Sequence, residues 1–112
     1  MPHCIVEHSQ DLSAVIRDTH LLNSLFDTIA ASDLFGSEHI KCRSLAYDNV
    51  VLGNPQHQSF LHCRLHILEG RAEAARVALA QDINTVLKHM ADAETVSVTV
   101  DIVEMDKATY IK

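Results

Sequence analysis

Aromatic side chains and long apolar runs are scarce in this sequence. Only 4% of its 112 residues are Phe, Trp or Tyr, and Trp is missing altogether. The longest uninterrupted apolar run is 77–80, whereas a membrane-spanning helix needs about 20 such residues. A core built from Ala, Val, Leu and Ile in so small a domain is marginally stable by itself. The shortage of aromatic residues therefore favours an oligomer.

Glycine, proline and basic clusters are scarce as well. With three Gly, two Pro and 47% hydrophobic residues, the composition predicts one globular domain over residues 1–112. Fifteen acidic residues against nine basic ones give a net charge of -6, and no two Lys or Arg residues are adjacent. This pattern argues against nucleic-acid and membrane-surface partners. The start of the chain lacks the features of a secretory signal, so we expect a cytoplasmic protein.

Cysteine is rare and its number is odd. The three residues are Cys4, Cys42 and Cys63, with no C-x-x-C spacing, so neither a disulfide framework nor a zinc site is indicated. All three lie in apolar surroundings and are predicted to be small buried thiols. A nucleophilic cysteine is the less favoured alternative, because none has a His/Asp constellation nearby.

Hydrophobic periodicity predicts an α+β fold in which two β-α-β units form a four-stranded mixed sheet with two helices on one face. Each unit, about 2–47 and 58–104, should contain a parallel strand pair with a right-handed crossover. The middle loop is expected to join the second and third strands as an antiparallel hairpin, and the last eight residues could add an edge strand. The predicted strands are 3–8, 38–47, 58–68 and 94–104, and the predicted helices are 12–29 and 72–90.

Two helices can cover only one face of such a sheet. The other face would mix polar and apolar side chains, too apolar for a fully wetted surface and too polar for a core. We expect this face to be a subunit interface. Its predicted members include His3, Ile5, Glu7, His62, Arg64, His66, Thr95, Ser97 and Thr99.

Pro2 is the first candidate for chemistry. Removal of Met1 before a small residue would leave a secondary amine on a rigid ring at the start of a strand. An ordinary α-amino group has a pKa of about 7.7–8.0, and burial or nearby cations lower it. Such a base suits proton abstraction beside a carbonyl. The alternative is that Pro2 is a chance residue at a frayed terminus.

The opening Met1-Pro2-His3-Cys4-Ile5-Val6-Glu7 resembles the 5-carboxymethyl-2-hydroxymuconate isomerase family of the tautomerase superfamily. That family begins Met-Pro-His-aromatic-Ile-Val-Glu and continues strand-helix-strand twice. The resemblance extends to Ile40-Lys41-Cys42-Arg43, where the family has Ile-Arg-Ser-Arg, and to Gly70-Arg71.

The resemblance implies a homotrimeric isomerase of small unsaturated 2-hydroxy (enol) carboxylic acids that acts in aromatic catabolism and needs no cofactor. It implies that Pro2 is the general base and that Arg71 is a catalytic partner of the dienolate or carboxylate. Lys41 and Arg43 would bind the substrate carboxylates. Each of these cations could instead be a solvated surface charge, and the chain could be a non-catalytic trimeric binding or scaffold protein that retains the fold.

Two departures from the family pattern affect the expected substrate. Lys41 stands where the family has an arginine, and lysine is a point charge that cannot grip a carboxylate with two parallel hydrogen bonds. Cys4 replaces a bulky aromatic residue beside the proline and predicts a roomier pocket. We therefore expect a physiological substrate other than the one for which the family is named.

The eight histidines raise the question of a metal site. His62 and His66 are four residues apart, which on a strand is roughly 13 Å, so they cannot share one metal within a chain. Symmetry copies around an oligomer axis could meet and are the open alternative. We expect no metal, and interface hydrogen bonding as the role of these side chains.

Overall fold

The computed structural model describes residues 1–112 and has the mixed four-stranded sheet predicted from the sequence. Its element order agrees with the two strand-helix-strand units, although the first helical stretch is divided. The strands are β1 (His3–Ser9), β2 (Lys41–Tyr47), β3 (Ser59–Leu68) and β4 (Val96–Met105), and the helices are α1 (Ser13–Asp18), α2 (Leu21–Ala31) and α3 (Glu73–Met90).

The strand order across the sheet is β2-β1-β3-β4. Within each unit the two strands are parallel, and the units join through an antiparallel pairing of β1 with β3. The expected hairpin between β2 and β3 is therefore wrong. The interior-facing positions of β1 and β3 are fully buried, so these strands take the centre, whereas β2 is mostly exposed and lies at an edge.

The single helix expected over residues 12–29 is broken at His20. This residue adopts a left-handed conformation with φ of +53°, and α1 ends just before it with Thr19 donating to the carbonyl of Val15. The apolar stripe continues across the break, with Ile16 before it and Leu21 after it both buried. Because the turn keeps the same face toward the sheet, periodicity alone does not reveal it. The structure thus has three helices rather than two.

The core lies between the helices and one face of the sheet. Its buried members are aliphatic residues together with two thiols, and aromatic side chains pack only at its margin. Cys4 and Cys63 are completely buried as expected, whereas Cys42 is half-buried. Fully buried residues include Val6 and Leu65 of the sheet, Leu25 and Ile29 of α2, and Leu79, Ile83 and Leu87 of α3.

The opposite face of the sheet has no helix over it. Here His3 lies beside His66 and Glu7 beside His62, and the His62 Nδ1 is 2.6 Å from the Thr99 hydroxyl. The strand registers place the side chains expected for this face together, except that Thr95 precedes β4 and lies outside the sheet.

The residues after β4 form a turn rather than an edge strand. The Tyr110 N–H donates to the carbonyl of Asp106 at 3.0 Å, which closes this turn. None of the helices combines the length and apolarity needed to cross a membrane.

We expect Leu25→Ala to lower the free energy of unfolding by about 2–5 kcal/mol, because Leu25 is completely buried and its truncation leaves a cavity. Val77→Ala, on an exposed position of α3, should change it by less than about 1 kcal/mol. Urea unfolding at one fixed protein concentration measures both variants. Equal losses in the two would contradict the assignment of Leu25 to the core.

Candidate active site

The antiparallel pairing of β1 with β3 brings distant residues to one end of the sheet. His3, at the start of β1, lies beside His66 near the end of β3 and beside Lys41 at the start of β2. The residues before β1, at the start of β2 and after β3 and β4 therefore share this end. Pro2, Lys41 and Arg71 all belong to it.

Pro2 directly precedes β1 and is fixed by the sheet. Less than 2% of its side chain is exposed, and its carbonyl accepts a hydrogen bond from the Lys41 N–H at 3.1 Å. Pro2 is therefore not part of a frayed terminus in this structure.

The terminal amine at this end is surrounded by positive charge. It belongs to Met1, and its pKa is lowered by partial burial and by the nearby charges of Arg71, Lys112 and Lys41. Burial and cations both disfavour the protonated amine. Lys112 was not identified from the sequence, because it belongs to no motif and only the folding of the last residues brings it here.

Arg71 is held in place by backbone carbonyls and an aromatic ring. Its guanidinium donates to the carbonyl of Leu34 at 2.9 Å and to that of Leu68 at 3.4 Å, and it stacks over Phe35 with its central carbon 4.4 Å from the ring centroid. The preceding Gly70 has a φ of +114°, which makes the turn out of β3 possible. Arg71 lies before the first residue of α3, and its remaining N–H groups are free to bind an anion.

Lys41 and Arg43 point to the uncovered face of β2, as their spacing predicts. The Lys41 ammonium donates to the carbonyl of His39 at 3.2 Å. Arg43 instead lies 3.2 Å from the Nδ1 of His3, and the Nε2 of that ring lies 2.8 Å from the Tyr110 hydroxyl. Arg43 is not among the charges that act on the Met1 amine. The structure thus groups Lys41 and Arg71 around the amine and places Arg43 beside His3.

The hydrogen bonds of His3 indicate a neutral ring. Since Arg43 can only donate, the Nδ1 of His3 accepts and its Nε2–H donates to Tyr110. Partial burial, followed by the charges of Arg43, Lys41 and His66, lowers the pKa of His3. A neutral His3 keeps its link to Arg43 intact at neutral pH.

Five cavities of about 200 to 460 Å³ lie on the surface of the chain, and the predicted site residues line none of them. One cavity of about 430 Å³ instead lies toward the far end of β1, between His8, Arg17 and His20. At the end of the sheet that carries Pro2, a cavity of about 360 Å³ is lined by Glu69, Glu104, Met105 and Asp106, and the Pro2 side chain is buried.

The remaining reactive side chains form no alternative site. No group of three or more His, Cys, Asp or Glu residues is arranged to hold a metal ion. The neighbouring Cys4 thiol and burial raise the pKa of Cys42, so this thiol stays protonated. Cys4 and Cys63 are buried with their sulfur atoms 3.5 Å apart.

Comparison with known proteins shows the family to which the chain belongs. The sequence matches the family profile of 5-carboxymethyl-2-hydroxymuconate isomerase over residues 2–112. The chain belongs to this isomerase family. The family resemblance predicted from the sequence motifs is thereby confirmed, and the protein is an isomerase of the tautomerase superfamily. A sequence comparison with curated proteins finds no match.

Solved structures of the isomerase family share the fold. A 5-carboxymethyl-2-hydroxymuconate isomerase from Deinococcus radiodurans R1 is 26% identical, with a TM-score of 0.86 over 99% of this chain and 87% of that one. A 5-carboxymethyl-2-hydroxymuconate delta-isomerase is 18% identical, with a TM-score of 0.77 over 100% of this chain and 87% of that one. A fused 4-OT solved as an asymmetric trimer is 17% identical, with a TM-score of 0.75 over 98% and 91%.

We expect NMR titration to give His3 a pKa below the ordinary value of about 6.5, because burial and neighbouring cations disfavour its charged form. Arg43→Gln should raise that pKa, since it removes an adjacent cation. Lys88→Gln, a matched loss of charge on an exposed part of α3, should leave it unchanged. An unchanged His3 pKa in Arg43→Gln would contradict the contact between these two residues.

Proposed function

We propose that this isomerase uses the Pro2 amine, exposed by removal of Met1, as the general base in a cofactor-free reaction. The substrate would be a small unsaturated 2-hydroxy (enol) carboxylic acid. The observation that supports this most directly is the environment next to Pro2, where burial and then the charges of Arg71, Lys112 and Lys41 lower the pKa of the Met1 amine. A neutral amine with a pKa below the ordinary range is a competent base at neutral pH.

The proposed mechanism moves one proton between two positions of the substrate, so substrate and product have the same atoms. The neutral Pro2 nitrogen takes the proton of the enol hydroxyl or of a carbon beside the carbonyl, which leaves a dienolate. Arg71 and Lys41 would stabilise the negative charge on this intermediate and on the carboxylate. The prolinium then returns the proton to another carbon of the conjugated chain. Arg43 would bind a second carboxylate from its place beside His3.

We further propose that the chains assemble as a homotrimer through the uncovered sheet face. This face carries Ile5, Leu45 and Phe60 among its polar side chains, and Leu45 is 54% exposed in the isolated chain. A similar fold has been solved as a trimer in the fused 4-OT.

Pro2→Ala should lower kcat by about 10²-fold or more, the usual contribution of a positioned general base. The variant keeps a terminal amine, but this primary amine lacks the rigid ring. The measurement is ketonisation of a simple enol acid, followed by ultraviolet absorbance, with intact mass spectrometry to establish that Met1 has been removed from both proteins.

The matched control for this experiment is a wild-type sample whose terminal amine has been acetylated. It keeps the Pro2 ring but cannot accept a proton, so it should be at least as impaired as Pro2→Ala. Activity that survives either change would refute Pro2 as the base. A wild-type protein with Met1 removed and no activity would favour the binding or scaffold alternative.

Sedimentation equilibrium should give a species of roughly 37 kDa, three times the 12.4 kDa chain. Ile5→Glu should shift this species toward a monomer, because it places a charge at the middle of the uncovered face. Val77→Glu introduces the same charge on the exposed side of α3 and should leave the assembly intact. A wild-type protein that remains at 12.4 kDa at micromolar concentration contradicts the trimer.

The cytoplasmic location, the role in aromatic catabolism and the single-domain boundary at residues 1–112 stay predictions. A physiological substrate other than the one for which the family is named also stays a prediction, since Lys41 replaces an arginine of the family pattern.

A further inference from the structure

The cavity of about 430 Å³ on the helix side of the sheet lies away from the candidate active site. His8, on its wall, is near the end of β1, whereas Pro2 directly precedes the start of that strand. The extended chain between the two residues spans roughly 20 Å. His8 also points to the helices, on the face of the sheet opposite to Lys41 and Arg43. Cavities of this size hold small organic molecules.

The break between α1 and α2 brings the walls of this cavity together. His20 has a φ of +53° and turns the chain so that residues of both helices line the same space. A left-handed conformation is uncommon for a residue other than glycine, and such residues concentrate at functional sites. In a chain with a net charge of -6, no carboxylate lines the cavity. Its polar walls are His8, Ser13, Arg17, His20, Asn23 and Ser44.

His8 is the buried polar group of the wall. Its side chain is only 3% exposed, and its Nδ1 lies 2.8 Å from the carbonyl of Ser9. Because a carbonyl can only accept, Nδ1 carries the proton and the neutral ring keeps a lone pair on Nε2. The Nε2 of His8 has no partner within the chain, and the one fully enclosed side-chain nitrogen that lacks a partner is that of His66. The Nε2 of His8 is therefore reached from the cavity and can accept a hydrogen bond from a ligand.

Arg17 gives the cavity its positive charge. Its Nε donates to the carboxylate of Asp18 at 3.2 Å, and both side chains are largely exposed. So exposed an ion pair is weak, and it leaves the two terminal nitrogens of the guanidinium to bind another anion. Ile16 and Leu22 also line the cavity and suit the carbon chain of a ligand.

We propose that this cavity is a second binding site of the protein, for a small aliphatic hydroxy acid. The carboxylate of the ligand pairs with Arg17, and its hydroxyl donates to the Nε2 of His8. A simple carboxylate satisfies only Arg17, and an uncharged alcohol satisfies only His8, so the site favours a molecule that carries both groups. The proposal is independent of the role of Pro2, since the cavity lies at the other end of β1.

The test compares 4-hydroxybutanoate with butanoate, which lacks the hydroxyl, and with 1,4-butanediol, which lacks the charge. Binding is followed by NMR of carbon-13-labelled histidine rings at about pH 8, where an ordinary histidine is neutral. The signals of His8 and His20 should shift with 4-hydroxybutanoate, whereas that of His89, at the far end of α3, should not. Loss of either ligand group should weaken binding about fivefold, the size of one hydrogen bond or one exposed charge pair. The corresponding six-carbon ligands, 6-hydroxyhexanoate, hexanoate and 1,6-hexanediol, test a longer separation of the two groups.

Three variants at exposed positions test the charge without disturbing the core. Arg17→Gln should weaken the binding of the hydroxy acid about fivefold and leave that of the diol unchanged. Asp18→Asn should tighten the binding of the hydroxy acid by up to about twofold, because it removes the carboxylate that competes for Arg17. Lys88→Gln, a matched loss of charge near the end of α3, should change the binding of neither ligand.

His8→Asn tests the acceptor. The asparagine amide can still donate to the carbonyl of Ser9, but it removes the Nε2, so the preference for 4-hydroxybutanoate over butanoate should disappear. Because His8 is buried, this substitution can also destabilise the fold. The comparison of the two ligands in the wild-type protein tests the same hydrogen bond without a substitution.

Several outcomes would overturn the proposal. They are the absence of any shift of His8 and His20 with both hydroxy acids, equal affinity for each hydroxy acid and its carboxylate lacking the hydroxyl, and undiminished binding by Arg17→Gln. Binding is measured without turnover, so a protein that is inactive on enol acids can still support this site. An active isomerase whose cavity binds neither hydroxy acid would refute the site and leave the proposed function intact.

Discussion

The antiparallel pairing of β1 with β3 determines which residues can meet at the candidate active site. Each β-α-β unit alone holds a parallel pair whose crossover helix packs on one face. Because β1 and β3 run in opposite directions, the start of β1 lies beside the end of β3. Pro2 and Arg71 become neighbours in space for this reason, and the residues after β4 are delivered to the same end.

The same pairing divides the sheet into two chemically different faces. Alternate side chains of all four strands point to the helices, where the core is aliphatic and includes the Cys4–Cys63 contact. The other side chains, with histidines and arginines beside Ile5 and Leu45, have no covering layer within the chain. The core thus needs few aromatic residues because only one side of the sheet is covered. The uncovered side favours association for the same geometric reason.

The sequence predicted the units, the mixed sheet and its two faces because alternation and helical periodicity depend on local burial. It predicted a single helix where His20 interrupts α1 and α2, because the apolar stripe is kept across the break. It also predicted a hairpin between β2 and β3, since adjacent strands in the chain are usually neighbours in the sheet. In the structure, β1 is buried on its interior face and lies at the centre, whereas β2 is exposed and lies at an edge. Consequently β2 does not pair with β3.

Residues of the candidate site could be predicted from the sequence only where they belong to a motif. Motifs identified Pro2, Lys41, Arg43 and Arg71. They did not predict that Arg43 lies apart from the residues near the terminal amine. The contact of Arg43 with His3 depends on the pairing of β1 with β2, and the effect of Lys112 on the Met1 amine depends on the folding of the last residues. No local pattern reports a contact between residues more than a hundred positions apart, such as that of His3 with Tyr110.

The local accumulation of cations is notable in a chain with a net charge of -6. Arg71, Lys41 and Lys112 act together on one amine, and Arg43 and His66 add to the positive environment of His3. Bringing like charges together costs electrostatic free energy. The negative charges elsewhere on the chain offset this cost only weakly, because salt screens charges that lie at a distance. Burial, the larger cause, and this repulsion together lower the pKa of the Met1 amine and of His3. An anionic ligand would reduce this cost further, so in the proposed function the charges that favour a neutral amine would also favour the binding of a carboxylate.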